Sequence, residues 1–106
     1  MTRPDCPWYL TIAACEQYAA ILGLDPEEDE QFDRCEDELV AIARVAKFVK
    51  NCDSGLQEYR GRIPVASVPL LRNRTPENRL VLLVSTERRD EGNLPQLVRV
   101  KLRGTR

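Results

Sequence analysis

Histidine is absent from this 106-residue chain. That removes imidazole acid–base catalysis, His-containing triads and His-ligated metal sites from consideration. Aromatic residues are scarce at 6%, and five of the six precede residue 51, leaving Tyr59 alone in the second half. A stacking platform for unpaired bases is therefore not expected there. The five glycines are scattered and build no Gly-rich phosphate loop. No apolar run approaches the length of a membrane-spanning helix, and MTRPDCPWYL lacks the cationic start and long apolar core of a secretory signal. The four cysteines, Cys6, Cys15, Cys35 and Cys52, include no C-x-x-C pair and no zinc-like spacing. Free thiols are the expectation for a cytoplasmic protein; nested Cys15–Cys35 and Cys6–Cys52 bridges are the geometric alternative.

What is present fits one folded domain: 12.1 kDa, 42% hydrophobic and 31% charged. The net charge of -1 hides a division. Residues 1–50 carry 11 Asp and Glu against 5 Lys and Arg, whereas residues 51–106 carry 6 against 11. An acidic half is joined to a basic half, a pattern that marks a binding surface unless the halves neutralise each other. Arginine makes up 13 of the 16 basic residues, which suggests a GC-rich bacterial genome.

The acidic half, about 7–50, reads as a helical hairpin. Thr11 is placed to cap IAACEQYAAIL, and Gly23 follows where a left-handed glycine belongs. Ile12, Cys15, Ala19 and Leu22 make one stripe, widened by Tyr18 and Ile21. Asp25, Pro26 and Glu28 signal the next helix start, and Phe32, Cys35, Leu39, Ile42, Ala46 and Val49 form its seam. The basic half, about 56–103, changes to strand period. Residues 56–63, 79–86 and 96–103 read as strands, and 65–71 as an edge strand weakened by Pro64 and Pro69. The expected fold is α+β: an N-terminal antiparallel helical hairpin packed on one face of a three- or four-stranded antiparallel β-meander.

Two surfaces stand out. Nine carboxylates fall within residues 25–38, with Asp25, Asp29, Asp33 and Asp37 at successive i+4 positions. This is expected to be a solvated acidic face and not a metal site, since the turning glycine of a Ca²⁺ loop is missing. In the last strand, strict alternation puts Leu97, Arg99, Lys101 and Arg103 opposite Val98, Val100 and Leu102. Because residues 80–84 are apolar on both parities, one set, Val81 and Leu83 or in the other register Leu80 and Leu82, is expected to share the face of Arg99 and Lys101, uncovered by helices.

YLTIAACEQYAAILGL resembles the first helix of a winged or MerR-type helix-turn-helix, but the acidic helix that follows would repel DNA. The helical pair and basic sheet are similar in outline to ribosome-dependent RNase toxins of the RelE/ParE type. No catalytic basic–aromatic cluster matches residue by residue, so no family is identified. Neither a cofactor nor a metal is implied, and no nucleophile–base pair can be assembled. The expectation is a non-enzymatic, cytoplasmic binding or assembly module acting through the Arg/aliphatic face as a homodimer or with another protein. The alternative is a nucleic-acid- or ribosome-associated protein relying on phosphate contacts.

Overall fold

The computed structural model describes residues 6–71, 78–86 and 94–103. In chain order the elements are β1 (Tyr9–Leu10), α1 (Ile12–Leu22), α2 (Asp29–Val45), β2 (Lys47–Asn51), β3 (Leu56–Arg62), β4 (Arg79–Ser85) and β5 (Gln96–Leu102). The five strands form one sheet in the order β1-β5-β4-β3-β2. All neighbours are antiparallel except β1 and β5, which run parallel. The α+β class and the helical hairpin on one face are as expected. The sheet gains two edge strands that were not, and it is mixed. Residues 72–77 and 87–93 lie outside the described residues.

Thr11 performs two tasks at the entry to α1. Its Oγ1 accepts from the Ala14 N–H at 3.2 Å, capping the helix, and its hydroxyl donates to the Leu97 carbonyl at 2.7 Å. The cap thus also ties the helix to β5. Gly23 closes α1 at φ 74°, a left-handed turn that costs glycine nothing. The buried stripe of α1 is Ala14, Cys15, Tyr18, Ala19 and Leu22, while Ile12, expected within it, is 63% exposed. Two alanines at the sheet-facing positions let the helix lie close on β5. Because β1 is two residues long, β5 has open edge beyond it, and Gln17 covers this by accepting from the Val100 N–H at 2.7 Å.

In α2 the start signal acts one turn later than the sequence suggests. Asp25 accepts from the Glu27 N–H and its carbonyl from the Glu28 N–H, forming a preliminary turn, and Glu28 then caps the helix through the Glu30 N–H. The seam Cys35, Leu39 and Ile42 is buried as expected, with Phe32 and Ala46 partly so. It does not reach Val49. After Val45 the run Ala46-Lys47-Phe48-Val49 has β-branched and aromatic character and leaves the helix as β2. Asn51 ends β2, and Cys52–Gly55 forms the hairpin turn into β3, with Ser54 and Gly55 both at positive φ. Residues 65–70 form a 3₁₀ turn instead of a strand. Pro69 has no N–H for a ladder, and local bonds from Ser67 N to Pro64 O and from Leu71 N to Val68 O satisfy the backbone.

The core lies between the hairpin and the inner face of the sheet. Leu80, Leu82 and Val84 of β4 are fully buried, beside Leu97 and Val100 of β5 and Ile63 after β3. Trp8 and Phe48 both pack edge-on against Tyr59, at ring-centre distances of 4.9 and 5.6 Å. Gly61 marks the closest approach of α2: a Cβ there would stand 2.7 Å from Ile42 Cγ2. Gly61→Ala is therefore expected to destabilise by about 1–3 kcal/mol through overpacking. Ile42→Ala alone should cost about 2–5 kcal/mol. In a denaturant double-mutant cycle the two losses should combine sub-additively, because the smaller side chain makes room for the new methyl. Glu30→Ala, on the solvated side of α2, should change stability by less than about 0.5 kcal/mol.

Candidate functional site: the outer face of the sheet

No described element covers the face of the sheet opposite the helices, and strand pairing arranges its side chains in rungs. Arg62 of β3 pairs with Arg79 of β4, and Arg103 continues the β5 register by donating its N–H to the Arg79 carbonyl at 2.8 Å. One rung is thus Arg62–Arg79–Arg103. The next runs Lys47–Arg60–Val81–Lys101, and the third Lys50–Glu58–Leu83–Arg99. Among the described residues these rungs hold eight cations against the single carboxylate of Glu58. Glu58 is already engaged by Arg60, at 2.7 Å from Nε and 2.5 Å from a terminal guanidinium nitrogen. Adjacent strands stand about 4.8 Å apart, so the first two rungs concentrate six cations at one end of the sheet.

The expected interaction face divides on inspection. Arg99, Lys101 and Arg103 are exposed on it. Val81 points outward but is only 8% exposed, flanked in register by Arg60 and Lys101, and Leu83 is half-buried. Long basic side chains cover apolar neighbours with their stems in this way. Leu97 does not belong to the face at all: it is fully buried, because the β4–β5 register shifts between Leu83 and Val84. The bulge lets Leu97 and Val100 face the core three residues apart, which strict alternation forbids. Lys47, Lys50, Arg60, Arg62 and Arg79 also belong to the face, beyond the residues the sequence points to. For Arg60 and Arg62 the alternation of LQEYRGR was a usable signal; for β2, read as helix, there was none.

On the opposite layer Asp29, Asp33 and Asp37 are exposed along α2, whereas Asp25 sits in the turn before it and off the row. Glu36, within the same acidic run, is buried against Cys15 and not solvated. Among the described residues no group of three or more Cys, Asp or Glu side chains is placed to hold a metal ion.

A second polar cluster lies inside the helical layer. Glu38 accepts from the Tyr18 hydroxyl at 2.6 Å, from Arg34 Nε at 3.0 Å and from the Ser67 hydroxyl at 2.6 Å, and Arg34 also donates to Ser67 at 2.6 Å. The network fastens the 3₁₀ turn to both helices. Burial, the Glu38 hydrogen bond and the nearby negative charge hold the Tyr18 phenol far above its usual range. Ser67 is 0% exposed, so its hydroxyl cannot meet a substrate. All four cysteines are free; Cys6, Cys15 and Cys35 are buried and Cys52 is half-buried. Burial, helped by Glu36 and by Cys35, pushes the Cys15 thiol up to about 12, and burial with Glu38 pushes Cys35 up to about 11. Neither is a nucleophile near neutral pH.

Comparison with protein-family models, with curated proteins and with solved structures finds no match for this chain. The functional reading therefore rests on its own residues.

The thiols give a direct check. In native protein a maleimide should label Cys52 first, with Cys15 and Cys35 reacting only on unfolding. Since the folded pKa of both is raised above the unfolded value of 9.0, they stabilise the fold fully below pH 9 and lose that contribution as the pH rises through 11–12. Urea midpoints should accordingly fall above pH 9. In Cys15→Ala and Cys35→Ala variants this alkaline slope should be shallower than in the wild type.

Proposed function

We propose that this chain is a non-enzymatic binding module that holds a polyanion, the phosphate backbone of a single-stranded nucleic acid, on the outer face of its sheet. The observation that carries this reading is the charge of the rungs: eight cations, of which Lys47, Lys50, Arg62, Arg99, Lys101 and Arg103 make no ion pair among the described residues. Arginine presents a planar fork suited to phosphate oxygens. Among the described residues no aromatic side chain belongs to the three cationic rungs, and Tyr9, in register with Gln96, stands on the same face only beyond the third rung, which argues for backbone contacts without base reading in the rungs. A non-enzymatic role fits the same residues: the raised thiols of Cys15 and Cys35 and the enclosed hydroxyl of Ser67 are not available as nucleophiles.

Self-association is the second reading, and it is favoured by a different observation. The exposed Asp29 and Asp33 of α2 give another copy an acidic surface to offer the basic face. Pairing through Val81 and Leu83 has less to recommend it, since little apolar area is left to remove from water. A cytoplasmic, bacterial setting is part of the proposal. It is supported by the free thiols, by the arginine-rich composition, and by the lack of any helix among the described residues long and apolar enough to cross a membrane.

Fluorescence anisotropy with a short unstructured oligonucleotide tests the first reading. If five phosphates are neutralised, log K should fall with log salt at a slope of about -3.5. Replacing Arg99 and Lys101 together by Gln should reduce that slope by about 1.4. Absence of binding at 50 mM salt, or binding indifferent to salt, would sink the proposal. Sedimentation at high micromolar concentration decides the second reading, which fails if the protein is monomeric there.

A further inference from the structure

At one end of the sheet lies a cavity of about 400 Å³, lined by Val45, Gly61 and the cations Lys47, Arg60, Arg62, Arg79 and Arg103. Five elements converge to make it: the end of α2, the start of β2, the paired ends of β3 and β4, and the exit of β5. Its volume lies within the range of small-ligand pockets. Like charges directly opposite on neighbouring strands destabilise a sheet. Here two such pairs, Lys47 with Arg60 and Arg62 with Arg79, adjoin each other, and Arg103 extends the second. Among the described residues no carboxylate lines the cavity. Glu58 offsets one charge through Arg60, and the C-terminus of α2 supplies roughly half an elementary charge. Lys47, Arg62 and Arg103 make no ion pair among the described residues, and their charge is left for a counter-ion.

We infer that this cavity is a binding site for a compact oligophosphate, a group with two or more linked phosphoryl units. The inference rests on the reading of the outer face as a phosphate-binding surface and narrows it to one end. The guanidinium forks of Arg62 and Arg103 and the ammonium of Lys47, with Arg60 and Arg79 beside them, line a space too large for a single phosphate, and no ring lines it to stack a base. The site recognises charge and shape, not base identity. Two sources present that chemistry: a free oligophosphate, and the triphosphate at the 5′ end of a nucleic acid.

The test is calorimetric titration of the full chain with inorganic tripolyphosphate at low salt, beside anisotropy with two oligonucleotides of one sequence, one 5′-triphosphorylated and one 5′-hydroxylated. Tripolyphosphate should bind once per chain, and Arg62→Gln/Arg103→Gln should weaken it at least tenfold. Lys50→Gln/Arg99→Gln, in the third rung and outside the cavity lining, should leave it within twofold. Without ligand, Arg62→Gln should melt at a higher temperature than the wild type, because a like-charge pair is relieved, which also shows that the variant folds. Tripolyphosphate should raise the wild-type midpoint and not that of the double variant. A preference for the 5′-triphosphorylated strand assigns the nucleic-acid end as the source, and tripolyphosphate binding with no such preference assigns a free oligophosphate. Absence of tripolyphosphate binding, or equal binding by both double variants, overturns the site. If the oligonucleotides still bind with the expected salt slope, the site alone fails. If tripolyphosphate binds and neither oligonucleotide does, the wider reading fails and the site stands.

Discussion

β4 is apolar on both faces, and the helical layer covers one of them. Leu80, Leu82 and Val84 are fully buried beneath it. Each is worth about 1.5–3 kcal/mol on leaving water, whereas an unfavourable pair of exposed charges on a sheet costs at most about 1 kcal/mol. The apolar preference therefore decides which way the strand faces. Once it has, the pleat sends Arg79, Val81 and Leu83 outward, and antiparallel pairing sends Arg60, Arg62, Arg99 and Lys101 with them. The basic face is a consequence of where the leucines go.

Local departures from regular geometry tune this arrangement. The register shift in β5 turns Leu97 inward, enlarging the core without removing a cation from the outer face. A matching irregularity in β2, between Phe48 and Lys50, keeps Lys47 and Lys50 on the basic side while Phe48 packs on Tyr59. Lysines and a bulge on this edge also oppose pairing with another strand. On the other side of the molecule, Glu38 gathers Tyr18, Arg34 and Ser67, so that the turn after β3 is held to both helices by charge-assisted bonds. The result is a two-layer molecule with acidic helices on one side and a basic sheet on the other.

Much of this was legible from spacing. The Thr11 cap and the Gly23 stop follow from local residue chemistry and the Cys35–Leu39–Ile42 seam from periodicity, whereas the outward set of β4 depends on a register that spacing leaves open between Val81 with Leu83 and Leu80 with Leu82. What escaped depends on contacts between distant segments. β1 is two residues whose strand character comes from β5 alone, and β2 continues a helical seam until the chain leaves it at Ala46. Leu97 was assigned outward because alternation cannot show a bulge. Ser67 carries no local mark of its role; only the fold brings it to Arg34 and Glu38, 33 and 29 residues away. Asp25 was placed in a helical row that begins later because its capping chemistry is spent on a preceding turn.

The central claim is that the cationic rungs, and not the acidic helices or the β2 edge, are the working surface. Amide chemical-shift mapping of isotope-labelled protein against a short single-stranded oligonucleotide addresses it most directly. The account predicts shifts concentrated at Arg60, Arg62, Arg79, Arg99, Lys101 and Arg103, with the exposed turns of α2 from Asp29 to Asp37 unmoved. Shifts confined to α2, or to Phe48 and Val49 on the β2 edge, would contradict it.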